Sequence, residues 1–148
     1  MRKAAAKVVI VGTGYVGLTT GGCLAYLGNH VACVDTNSEV IRQLRQGDVP
    51  VAEPGIADLM YQSAANLYFT TALAEVLTEA DIVIIAVGTP AKLNGATDMS
   101  YIETVAKEIS SNLTGNKKLL IVNKSTVPIG SARRVKTIID HILPNPSK

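Results

Sequence analysis

The stretch KVVIVGTGYVGLTTGGCLAYLGNHVACVD, residues 7–35, decides how this chain folds. The apolar run at residues 7–11 predicts a buried strand, and a glycine motif follows it directly. Residues 15–27 have the pattern of a helix that Gly28 ends, and residues 31–35 predict a second strand. A strand, a glycine turn, a helix and a second strand in this order are typical of a parallel βαβ unit.

The same alternation of elements continues along the rest of the chain. Three further strands are predicted at residues 67–70, 82–87 and 119–122, and further helices at 37–46, 56–64, 73–77, 100–113 and 128–143. Ser100 and Glu103 match a capping box, and Pro128 suits a first helical turn. The pattern predicts an α/β fold, a Rossmann-type doubly wound parallel sheet in three α/β/α layers, as one domain over residues 1–148.

The composition favours an ordered domain and gives no support to several classes of function. The chain has 148 residues, of which 47% are hydrophobic and 18% charged, and its net charge is only +2. So small an excess gives no argument for a nucleic-acid partner, and the apolar runs are too short to span a membrane. Cys23 and Cys33 form no CxxC pair and no metal-ligand cluster. We therefore expect no metal site and a cytoplasmic protein.

The glycine motif predicts a site for a dinucleotide. It follows a strand and opens a helix, which is the context that a GxGxxG sequence requires. The first glycine permits the tight turn, the second admits a pyrophosphate, and the third packs the helix on the sheet. A glycine turn with only a packing role is the alternative. The predicted cofactor-binding residues of the motif are Gly12, Thr13, Gly14, Tyr15, Val16 and Gly17.

Asp35 is the predicted partner of the adenine ribose. It ends the second predicted strand, 18 residues after Gly17. A carboxylate there can accept hydrogen bonds from the ribose hydroxyls, and it would repel a 2′-phosphate, so the cofactor NAD is favoured over NADP. The alternative is a surface aspartate that caps the next helix.

With these residues in place, the chain resembles the UDP-glucose 6-dehydrogenase family and its relatives that oxidise other nucleotide sugars. Residues 9–35 match the start of that family, and EPG at residues 53–55 matches its loop after the second helix. VGTP at residues 87–90, with Gly95 and Asp98, and KSTVP at residues 124–128, with Gly130, match the segments after the fourth and fifth strands.

The resemblance implies oxidation of the sugar's primary alcohol at C6 to a carboxylate, with reduction of two NAD. Thr126 is implied to hold a water near the reacting centre. The alternative is that Ser125 or Thr126 only caps the helix that contains Pro128. A basic residue is usual in the family five positions after the ribose-binding acid, and here that position is Val40. The further cofactor-binding residues that the resemblance implies are Val87, Gly88, Thr89, Pro90, Ser125 and Thr126.

The resemblance also places part of the chemistry outside this chain. The family's thioester-forming cysteine and most contacts to the UDP-sugar substrate lie in its carboxy-terminal half. Neither Cys23 nor Cys33 matches that cysteine, and both are expected to be buried apolar residues. We therefore expect a fragment that binds NAD without turnover, from a protein that forms a homodimer.

Several alternatives stay open at this point. UDP-glucose is the favoured substrate, but a UDP-N-acetylmannosamine or GDP-mannose dehydrogenase would share the same motifs. Dehydrogenases of 3-hydroxy acids or 6-phosphogluconate share the glycine loop and the acid, but the segments at Glu53 and at residues 125–130 argue against them. A regulatory module that senses NAD without chemistry is the alternative from another class.

Overall fold

The computed structural model describes residues 4–113 and 118–143. Five short strands alternate with six helices along these residues. The strands are β1 (Lys7–Val11), β2 (His30–Val34), β3 (Leu67–Thr70), β4 (Ile82–Ile85) and β5 (Leu120–Asn123). The helices are α1 (Tyr15–Tyr26), α2 (Ser38–Arg45), α3 (Ile56–Gln62), α4 (Leu73–Leu77), α5 (Ser100–Asn112) and α6 (Ser131–Ile142).

The five strands form one parallel sheet in the order β3-β2-β1-β4-β5. Strand β1 lies at its centre, where Val9 pairs with Ala32 of β2 on one side and with Val83 of β4 on the other. The order reverses at β1, because the chain first builds outward through β2 and β3 and then returns to add β4 and β5. The predicted doubly wound fold is therefore confirmed, and its switch point lies beside β1.

Helices cover both faces of the sheet and create the three layers. On one face, Val9 and Val11 of β1 pack with buried residues of α4, α5 and α6. On the other face, Val8 and Ile10 pack with Ala25 of α1, and Leu18 of α1 joins a further cluster with residues of α2 and α3. Because both faces of the inner strands are buried, these strands read as continuous aliphatic runs in the sequence.

One predicted helix cap and one predicted helix start were wrong. The capping box fails because Ser100 is already helical, and its amide donates to Asp98 Oδ1 at 3.0 Å instead. Pro128 lies before α6, where its carbonyl accepts from the amide of Ser131, and the helix begins only after Gly130, which has φ +91°. At α5, the upstream residue Asp98 accepts the hydrogen bond from the first helical amide. At α6, Pro128 belongs to the turn before the helix rather than to its first turn.

The other boundaries agree with the prediction to within about two residues, the usual uncertainty of helix and strand ends. Gly28 ends α1 with φ +92°, as predicted. The prolines expected to close the last helix, Pro144 and Pro146, lie outside the described residues. Among the helices of the described part, none has the length and apolar character needed to cross a bilayer.

Candidate functional site

Only glycine fits at one position of the turn between β1 and α1 and at one position in the first turn of α1. Gly12 has φ +104°, and a Cβ there would lie 2.7 Å from the carbonyl oxygen of Ala86. A Cβ on Gly17 would lie 1.9 Å from the carbonyl oxygen of Gly12. The first and third glycines therefore let the loop pass close to β4 and let α1 pack against the loop, as the motif predicts.

Gly14 differs from the other two because the space beside it is open. A Cβ added there would meet nothing within 4 Å, and the residue is exposed. Gly14 precedes the first turn of α1, which carries no acidic residue and no capping side chain. The amide groups of a first helical turn attract anions, because they are free donors at the positive end of the helix dipole. This geometry fits a diphosphate lying over Gly14.

Asp35 lies directly after β2, and its carboxylate is held from two sides. The amide and hydroxyl of Thr13 donate to Oδ2 at 2.8 and 2.7 Å, and the amide of Asn37 donates to Oδ1 at 3.0 Å. The cap of α2 is Asn37, whose side chain accepts from the amides of Glu39 and Val40. Asp35 is therefore not the helix cap, and the alternative that the sequence left open is wrong.

A cleft of about 400 Å³ connects the glycine loop with Asp35 at the carboxyl edge of the sheet. Five predicted cofactor-binding residues line it: Gly12, Gly14, Asp35, Val87 and Gly88. Ligands of open α/β sheets bind in this place, outside the carboxyl ends of the strands at a switch point. Another cavity, of about 430 Å³, lies between α2, α3 and β3, away from the glycine loop.

The remaining predicted residues lie around the cleft rather than in its lining. Thr13 is buried under Asp35, with 4% of its surface exposed, and Gly17 is buried in the first turn of α1. Tyr15 and Val16 are exposed at the start of α1. The other predicted residues belong to the loops after β4 and β5; they are Thr89, Pro90, Ser125 and Thr126.

Hydrogen bonds between side chain and main chain tie these two loops together. The hydroxyl of Thr89 donates to the carbonyl of Thr126 at 2.8 Å, and the hydroxyl of Ser125 donates to the carbonyl of Val87 at 2.7 Å. Neither Ser125 nor Thr126 caps α6, whose cap is Gly130 without a side-chain bond. The Thr126 side chain is exposed, so it is available to a ligand at this edge.

Residues 88–98 form a small hairpin at the same edge. The amide of Gly95 donates to the carbonyl of Lys92 across its turn, and Ala91 bridges to Thr97. The amide and the hydroxyl of Ser100, followed by nearby Lys92, hold the pKa of Asp98 below its usual value. Asp98 thus anchors the hairpin to the start of α5, where a negative charge is favourable.

The two cysteines differ in their surroundings. Burial raises the pKa of the Cys33 thiol to about 12, so this thiol stays protonated and unreactive near neutral pH. Cys23 was predicted to be buried, but it lies on the exposed side of α1, whose buried side is formed by Gly17, Leu18 and neighbours one turn further on. Among the described residues, no group of three His, Cys, Asp or Glu side chains is placed to hold a metal ion.

The sequence alone missed several residues of the cleft lining. Thr36 and Thr71 follow β2 and β3, and Tyr101, Thr104 and Glu108 lie along one side of α5. The spacing of the last three, at i, i+3 and i+7, was a visible signal for one helix face. The sequence did not show that this face lines the cleft, because that depends on how α5 packs against the sheet.

The fold and the cleft define a dinucleotide-binding domain of the Rossmann type. Residues 6–145 match the family model described as the UDP-glucose/GDP-mannose dehydrogenase family, NAD binding domain. The chain belongs to this family, as its NAD-binding domain. The family match decides against the dehydrogenases of 3-hydroxy acids and 6-phosphogluconate.

Individual relatives support the same assignment. The chain is 43% identical over 135 residues to UDP-glucose 6-dehydrogenase of Pseudomonas aeruginosa, covering 90% of this chain and 29% of that protein. It is 40% identical over 132 residues to GDP-mannose 6-dehydrogenase of Pseudomonas putida, covering 87% and 30%. A crystal structure of a ternary complex of GDP-mannose dehydrogenase from Pseudomonas aeruginosa superposes with a TM-score of 0.87 at 35% identity, over 93% of this chain and 33% of that one. The chain thus spans about a third of the length of these relatives.

Proposed function

We propose that this chain is the NAD-binding part of a UDP-glucose 6-dehydrogenase, which oxidises C6 of UDP-glucose to give UDP-glucuronate and reduces two NAD. One observation carries the NAD part of the proposal: the open space at Gly14, the uncapped start of α1 and the Asp35 carboxylate border a single cleft. The choice of UDP-glucose rests on the 43% identity with UDP-glucose 6-dehydrogenase of Pseudomonas aeruginosa. Bound NAD supplies the hydride acceptor for such an oxidation.

Each end of the cleft has a separate task in this proposal. The first-turn amides of α1 hold the diphosphate, and Gly14 lets it approach the backbone. Asp35 accepts a hydrogen bond from the adenine ribose and disfavours the 2′-phosphate of NADP. Val87, Gly88, Thr89 and Pro90 border the nicotinamide end, and Thr126 positions a water near the reacting carbon. The bond from Thr89 to the Thr126 carbonyl supports that role because it fixes the main chain beside the threonine.

We further propose that the UDP-sugar site and the nucleophilic cysteine lie in the part of a longer protein that follows this domain. The chain spans 29% of the UDP-glucose 6-dehydrogenase from Pseudomonas aeruginosa. The two cysteines present here are poor candidates for a nucleophile, since Cys33 is buried with a raised pKa and Cys23 lies outside the lining of the cleft. Both are free thiols, in keeping with a reducing cytoplasm.

Calorimetric titration of the chain with NAD and NADP tests the assigned binding mode. We expect NAD to bind more tightly, and Asp35→Ala to weaken NAD by about tenfold, since a charge-assisted hydrogen bond is lost. Asp58→Ala, an exposed carboxylate on α3, serves as the matched control and should leave both affinities unchanged. Equal affinity of the unaltered chain for NAD and NADP would contradict the role of Asp35.

Turnover by the full-length protein tests the substrate. The protein is incubated with NAD and, separately, UDP-glucose, UDP-N-acetylmannosamine or GDP-mannose, and NADH is followed by absorbance. We expect two NADH per UDP-glucose consumed. If only UDP-N-acetylmannosamine or GDP-mannose gave NADH, that sugar nucleotide would be the substrate instead of UDP-glucose. If none of the three gave NADH, the proposed enzyme activity would be rejected.

A further inference from the structure

Thr13 makes a contact that the glycine motif does not require. The second position of a GxGxxG sequence is unrestricted, yet Thr13 is buried, with 4% of its surface exposed. Its hydroxyl donates to Asp35 Oδ2 at 2.7 Å, across 22 positions of sequence. The amide of the same residue donates to the same oxygen at 2.8 Å. Thr13 therefore holds one oxygen of the acid with two donors.

The hydrogen-bonding capacity of Asp35 shows what this contact does. A carboxylate has about four acceptor sites, two on each oxygen. Residue 13 fills both sites of Oδ2, and the amide of Asn37 fills one site of Oδ1. One acceptor site is left, and it belongs to Oδ1. The chain thus offers the cleft a single oxygen of Asp35 rather than a freely rotating carboxylate.

Backbone hydrogen bonds also fix the main chain at Asp35 and at the residue before it. The carboxylate can then change its direction only by rotation about the side-chain bonds. The amide of Gly12 donates to the carbonyl of Val34 at 2.8 Å, and the amide of Asp35 donates to the carbonyl of Thr70 at 3.2 Å. The terminal torsion of an aspartate is intrinsically broad. The Thr13 hydroxyl restricts this torsion, because a hydrogen bond to an ionised carboxylate is shorter and stronger than a neutral one.

We propose that Thr13 is a positioning residue for cofactor selectivity: its buried hydroxyl fixes the Asp35 carboxylate so that Oδ1 faces the adenine ribose of NAD. This inference rests on the proposed function, since it takes Asp35 as the ribose acceptor. Fixing an acceptor before the ligand arrives reduces the ordering cost of binding. NADP gains less from it, because a 2′-phosphate replaces one of the two ribose hydroxyl donors and its negative charge is repelled by the carboxylate.

Thr13→Val tests the inference, since valine keeps the branched shape and removes the hydroxyl. We expect the Kd for NAD to rise about three- to tenfold, as for the loss of one hydrogen bond, while the Kd for NADP changes less than about twofold. Thr13→Ser keeps a hydroxyl and should restore the affinity for NAD. A purely structural role would instead weaken both cofactors by the same factor.

A double-mutant cycle with Asp35→Asn separates positioning from any direct contact of Thr13 with the cofactor. Once the charged acceptor is gone, adding Thr13→Val should cause little further loss of NAD affinity. If Thr13→Val does not fold, judged by thermal unfolding, Thr13→Ala is titrated in its place.

The outcomes distinguish this inference from the function on which it rests. An unaltered chain that binds NAD no better than NADP would reject the proposed role of Asp35. An unaltered chain that prefers NAD, together with a hydroxyl-free variant that keeps the same preference, would reject the role of Thr13 alone. If the losses of NAD affinity from Thr13→Val and Asp35→Asn were additive, the positioning role of Thr13 would also be rejected.

Discussion

The glycine loop with Asp35 and the two loops after β4 and β5 lie at the same edge of the sheet, but their polar groups are used differently. In the first region, the Thr13 hydroxyl turns inward to fix a charged acceptor, and the open space is left beside Gly14. In the second region, hydroxyl groups join one loop to the other, and Leu93 and Ile129 project fully into solvent.

The difference bears on how our proposed function divides between this chain and the rest of a longer protein. In the first region, the glycine loop and the Asp35 carboxylate already line one cleft, as our proposal for the adenosine end of NAD requires. The second region is rigid at its base and apolar at its tips. Such tips fit our proposal that the remainder of a longer protein completes the reacting end of the site.

The largest expected effect comes from a substitution in the glycine motif. Gly17→Ala places a methyl group against the Gly12 carbonyl and should lower the free energy of unfolding by about 3 kcal/mol or more. Gly14→Ala should change stability by less than about 1 kcal/mol, because its methyl group enters open space, yet it should raise the Kd for NAD at least about tenfold.

Chemical denaturation and calorimetry of both variants measure this contrast between packing and ligand approach. If Gly14→Ala bound NAD as well as the unaltered chain, the diphosphate would not lie where we place it. A fully stable Gly17→Ala would show that α1 does not pack on the loop as described.

The next effect depends on pH and concerns Cys33, a buried residue of β2. Its folded-state pKa of about 12 lies above the ordinary value of 9.0, because burial disfavours the thiolate. The unfolded chain therefore loses this proton first, and the stability from the buried thiol is complete below about pH 9 and is lost as the pH rises toward 12.

The measurement compares the unaltered chain with Cys33→Ala by urea denaturation at several alkaline pH values. The difference between the two should fall by up to about 1.4 kcal/mol per pH unit across this window. A difference that does not change with pH would mean that the thiol is accessible in the folded chain.

The smallest expected effect concerns the contact between the two later loops. Ser125→Ala removes the 2.7 Å bond to the Val87 carbonyl and should destabilise the chain by about 1 kcal/mol. NAD affinity should fall less than for Asp35→Ala, since the adenosine end of the cleft is unaffected. Ser111→Ala, an exposed serine on α5, is the control for thermal unfolding. An effect on NAD as large as that of Asp35→Ala would show that the two regions are not independent.

The sequence was most informative where one local pattern determines the structure. The strands follow from aliphatic runs that are buried on both faces, and the roles of Gly12 and Gly17 follow from the motif. Prediction failed for the cap assigned to Ser100 and for the helix start assigned to Pro128, because contacts with neighbouring residues decide both. It also failed at Cys23, whose exposure depends on which face of α1 packs on the sheet.

The lining residues that the sequence did not reveal come from segments that are far apart along the chain. Thr71 and Tyr101 meet the glycine loop only through the order of the strands and the docking of α5. The hydrogen bond between Thr13 and Asp35 likewise depends on how a loop crosses a neighbouring strand. No rule of residue spacing predicts this contact. In the sequence, Thr13 therefore stands only at a position of the motif that accepts any residue.

A crystal structure of this chain with NAD would test the central claim most directly. We expect the diphosphate over Gly14 and the first turn of α1, with a hydroxyl of the adenine ribose within about 3.2 Å of Asp35 Oδ1. A well-ordered NAD with its diphosphate away from that turn, or with its adenine ribose out of reach of Asp35, would contradict the account.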